Sequence, residues 1–143
     1  MTRWHPWRHL RDNHSHVDVT YPDLGGLGCL GRRRAGHIEI DETLDQVERR
    51  CTVTHEITHI ERGPVPDHPF YGPKEERTVE RITAERLIEL DALIDALAWN
   101  RHRVDAETAG ELWVDLDVLV TRVKNLTEDE RRHIDMELER RQP

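Results

Sequence analysis

The run His55-Glu56-Ile57-Thr58-His59 sets two imidazoles four positions apart, with a carboxylate directly after the first. On an α-helix that spacing is about one turn, so both rings leave the same face and can reach one cation. Zinc takes neutral imidazole nitrogens at about 2.0–2.1 Å and, where it is catalytic, keeps one position open for water. The metal lowers the pKa of that water to roughly 7; Glu56 is placed to take its proton, and the hydroxide would attack a polarised carbonyl. The spacing therefore points to metal-assisted hydrolysis. A third ligand must come from elsewhere, and the next helix opens with Glu75-Glu76 and continues to Glu80. Spacing leaves all three of these carboxylates open.

Several elements must position this motif. Val47, Cys51, Val53, Ile57 and Ile60 recur at mostly helical steps, which predicts a helix over about 43–62, stopped by Gly63-Pro64. Four prolines and two glycines make 63–73 a stiff loop, and a further helix is expected from near Lys74 with Val79, Ile82 and Leu87 inward. Upstream, Pro6 suits the first turn of a short helix. The alternation in 16–21 and the stretches 25–31 and 36–41 read as three strands, the last two joined by a turn at about 33–36. Downstream, Asp91 is a candidate cap for a helix through Trp99, Asp105 and Asp115 for two short helices, and Thr127-Glu128-Asp129-Glu130 forms a capping box. The expected class is α+β, a small antiparallel three-stranded sheet near the N-terminus followed by a helical bundle that carries the H-E-x-x-H helix. One domain over 1–143 is expected, with helix and sheet in 1–41, the zinc-site helices in 43–101 and C-terminal helices in 105–143.

ERRCTVTHEITHIERGP (48–64) followed by EERTVERITAERLIEL (75–90) resembles the ImmA/IrrE family of zinc metallopeptidases, in the short form common in high-GC bacteria and their phages. The likeness runs over roughly 16–140 and includes ELWVDLDVLVTRVKNLTEDER (111–131). The family's second motif resembles E-x-x-[AV]-x-x-x-A-A, with the leading Glu as third ligand; here it falls on Glu76, Val79 and Thr83-Ala84. Thr83 departs from the pattern, as does Glu89 where many members carry proline, and neither is a proposed ligand. The resemblance implies a zincin-like minimal core, Zn2+ on His55, His59 and Glu76, and Glu56 as the catalytic base. It also implies an endopeptidase acting on a protein, such as a transcriptional repressor or another regulator. The competing function is a regulatory protein-binding module that keeps the fold without proteolysis, but such a binder has no need of Glu56.

Composition narrows the partners. The chain has 143 residues with 21 Lys+Arg against 29 Asp+Glu, a net charge of −8. Residues 1–40 carry +2 and 41–143 carry −10, which opposes direct nucleic-acid binding. Residues 105–126 have a helix-turn-helix cadence, but their net −3 favours packing or protein docking. No apolar run approaches membrane-spanning length and no signal-like h-region is present, so the expectation is a cytoplasmic protein without membrane association. Cys29 and Cys51 are too few for a disulfide scaffold or a four-cysteine zinc site. Gly26-x-Gly28-x-x-Gly31 lacks the strand-to-helix context of a dinucleotide loop. Arg32-Arg33-Arg34 fits an exposed hairpin turn, while His5, His9, His14 and His16, without an accompanying carboxylate pattern, fit a solvated end. Trp4, Trp7, Trp99 and Trp113 fit core or partly buried anchors. In the 63–73 loop, His68 and Tyr71 are the side chains able to donate to an oxyanion.

Overall fold

A computed structural model describes residues 3–34 and 36–142. The motif lies on helix α2, Gln46–Arg62, which Asp45 opens by accepting from the Glu48 N–H while the Glu48 carboxylate accepts from the Asp45 N–H. Ahead of it come helix α1, Pro6–Asn13, and strands β1, Asp18–Thr20, β2, Gly31–Arg34, and β3, His37–Ile40. After it come α3, Tyr71–Leu87, α4, Leu90–Trp99, α5, Ala106–Glu111, α6, Leu116–Lys124, and α7, Glu128–Arg141. The class is α+β, with seven helices and one three-stranded sheet among the described residues.

The sheet is mixed, not antiparallel. Its order is β1-β3-β2: β2 and β3 form the antiparallel hairpin, turning through Gly36 at φ 81°. β1 joins the other side of β3 in parallel, with Val19 opposite Ile38. The connection 21–30 is long enough to carry the chain past β3 to the far edge, so β1 never meets β2. Of the glycines expected in the second strand, Gly25 and Gly26 form a 3-10 turn, Gly25–Leu27, that Gly28 ends, while Gly31 opens β2 and the arginines expected in a turn continue that strand. The loop after the motif is also shorter than expected, because Tyr71, Gly72 and Pro73 already belong to α3. α4 starts at Leu90 with no side-chain cap, and Asp91 sits in its first turn.

α2 is the shared wall of two apolar clusters. Val53 and Ile57 pack with Leu10, Ile38, Ile40 and Leu44, fixing α2 against α1 and the sheet. Cys51 joins the larger cluster of α4–α7, which includes Leu93, Ile94, Leu112, Leu119 and Ile134. Between them the buried Arg50 donates to the backbone carbonyls of Trp113, at 2.8 Å, Trp4 and Leu87, tying three segments to α2. Burial holds its guanidinium below the usual arginine pKa. Among the described residues, no helix is long and apolar enough to cross a membrane.

Candidate metal centre

Helix α2 presents His55 and His59 with ring centroids 4.8 Å apart, as the four-residue spacing requires. α3 packs along α2 and brings Glu76 to them, with Glu76 Oε2 3.1 Å from His59 Nε2. Ligand atoms of His55, His59 and Glu76 all lie within 4.8 Å of one another. Atoms bound tetrahedrally at zinc's usual distances stand about 3.3 Å apart, so the three groups need only small adjustments to share one ion. His59 is 3% exposed, and burial, then the charge of Arg33, push its pKa down and keep the ring neutral. A neutral imidazole is the form that binds metal. His59 Nδ1 is buried with no hydrogen-bond partner among the described residues, so none of them holds the Nδ1 proton that ligation through Nε2 would require. The donor set fits a zinc-like cation.

The three candidate carboxylates part company here. Glu75 is taken by Arg62, whose Nε donates to it at 2.7 Å. Glu80 lines the neighbouring cleft but does not join the ligand cluster. Glu76 is the one brought to both histidines.

Glu56 is 5% exposed and lines a cavity of about 640 Å3 together with Gly31, His55, Glu80, Asp117 and Lys124. α2, α3, α6 and the start of β2 enclose this cleft, so the segment with helix-turn-helix cadence supplies one of its walls. Gly31 allows the close approach of β2 to α2, since a Cβ there would meet Thr52 Cγ2 at 2.6 Å.

That approach delivers a residue the sequence reading did not find. Successive side chains on a strand face opposite ways, so Arg32 and Arg34 both reach Glu39, each at 3.2 Å, while Arg33 turns to the other face. Arg33 Nη1 donates to Glu56 Oε2 at 2.5 Å. The signal was present in the alternation of the arginines, but it needed β2 to be recognised as a strand. His68 and Tyr71, by contrast, are exposed and do not line the cleft. His68 Nδ1 instead accepts from the Phe70 and Tyr71 N–H groups at the start of α3.

Comparisons with protein-family models, curated proteins and solved structures found no match to this chain.

Proposed function

We propose that the chain is a zinc-dependent endopeptidase of the ImmA/IrrE type, with a zincin-like core, that cleaves a cytoplasmic regulatory protein such as a transcriptional repressor. The observation that carries the reading is the convergence of His55, His59 and Glu76 beside the nearly buried Glu56 at the cleft. A zinc ion held by those three residues would polarise the scissile carbonyl and acidify a bound water. Glu56 accepts the proton and returns it to the leaving amine as the peptide bond breaks. Arg33 engages Glu56 through Oε2 and so orients the carboxylate toward the cleft. Among the described residues β2 is an edge strand of the sheet, and it packs beside α2. An extended substrate segment adding to that edge would lie across the site.

The test is a Glu56→Gln substrate trap in the native host, with captured proteins identified by mass spectrometry and then offered to the wild-type chain. Cleavage of a captured protein supports the peptidase. A partner that both forms hold intact supports the non-proteolytic binding module instead.

A further inference from the structure

On another side of α2 a second group of ligand-type atoms converges. His9 on α1 and His14 just after it both donate from Nε2 to Oε2 of Glu61 at 2.9 Å. The three donor atoms lie within 4.8 Å of one another. The side chains are partly sheltered, 21%, 19% and 26% exposed respectively. Glu61 is 52 and 47 residues away in sequence, so the carboxylate missing from the N-terminal histidine group is supplied by the fold.

We infer that His9, His14 and Glu61 form a second binding site for a divalent transition metal of the zinc class, which staples α1 to α2. Two imidazoles and a carboxylate suit zinc and its neighbours rather than magnesium or calcium, which take oxygen ligands. The two separations of 2.9 Å open by a few tenths of an ångström, and the nitrogens of the two rings, now within 4.8 Å of each other, settle at the same ~3.3 Å edge of a tetrahedral site. The carboxylate is already oriented for the task. Arg86 on α3 holds Glu61 Oε1, leaving Oε2 to the two rings, and ligating carboxylates are commonly fixed in this way. On metal binding each ring proton moves from Nε2 to Nδ1. The Asn13 amide nitrogen, which stands 3.3 Å from His9 Nδ1 and donates to the His9 carbonyl at 3.1 Å, keeps the backbone bond and gives up the ring contact when Nδ1 takes the proton. Arg86 is in contact with the ligand Glu61, where its cation would oppose the gathering of a metal-bound hydroxide. The site's role is therefore structural.

The test measures zinc bound by the full chain by equilibrium dialysis against a weak competing chelator, with helix content followed by circular dichroism. Wild type should bind two equivalents, His9→Gln/His14→Gln one, His55→Ala one, and the triple variant none. Zinc should also raise the melting temperature of His55→Ala, and not that of the triple variant. Because His9 and His14 are near the surface, their variants should fold; Glu61→Gln gives an independent loss of the same equivalent. If His9→Gln/His14→Gln or Glu61→Gln binds as much zinc as wild type, the staple is wrong, whatever His55→Ala shows. Loss confined to His55→Ala would leave only the motif site standing.

Discussion

Arg33 Nη1 lies 2.5 Å from Glu56 Oε2, joining the edge strand of the sheet to the centre of the motif helix. The contact crosses 23 residues of sequence, and its Glu56 end is almost wholly sheltered from solvent, so screening weakens it little.

If this pair orients the base, Arg33→Gln should lower kcat by about 10-fold with zinc content unchanged. Arg33→Lys, which keeps the charge but loses the planar fork, should recover part of the rate. Full activity in Arg33→Gln would remove it as a positioning residue.

Arg50 should matter to stability rather than to catalysis. Its guanidinium donates to carbonyls of Trp113, Trp4 and Leu87, and Arg50→Met leaves those acceptors without their donor. The expected cost is about 2–4 kcal/mol in urea unfolding. A change under about 0.5 kcal/mol, ordinary for a surface substitution, would contradict the role.

What could be read from sequence was local. The H-E-x-x-H helix, its stop at Gly63 and the Thr127–Glu130 capping box depend on residues within a turn or two, and the structure has them. The parallel pairing of β1 with β3 depends on where a ten-residue connection carries the chain, for which 21–30 holds no local signal. Arg33 was misplaced because three consecutive arginines read as a solvated turn until their alternation across β2 separates Arg33 from Glu39's two partners. Glu61 went unlinked to the N-terminal histidines because only the docking of α1 on α2 joins them.

The two cysteines should differ sharply in reactivity. Burial pushes the Cys51 thiol up to about 12, so it stays protonated in the folded protein, whereas Cys29 is partly exposed. The thiolate is the reactive form. Iodoacetamide at pH 8 should modify Cys29 first and Cys51 only when the chain unfolds, as read by peptide mass spectrometry. Equal early labelling of both would contradict the packing around Cys51.

Asp41 should give acid-sensitive stability. Its carboxylate accepts from the Thr43 hydroxyl and from the Leu24 N–H at 2.7 Å, and these bonds hold its pKa below the ordinary 3.8. A carboxyl whose folded pKa is lowered contributes stability that is complete above the unfolded value and fades as pH falls through the folded one. Asp41→Asn should therefore melt below wild type at neutral pH, with the gap narrowing below about pH 4. A gap that stays constant into acid would show that these bonds do not favour the ionised form.

The central claim is that Glu56 does chemistry at a metal held by His55, His59 and Glu76. The most direct measurement is the cleavage rate of a trapped partner by wild type and Glu56→Gln at equal zinc content. Gln keeps the shape of the side chain but cannot take the proton, so the rate should fall by about 10²–10⁴ or more, with the melting curve nearly unchanged. Cleavage by Glu56→Gln at the wild-type rate would contradict the account.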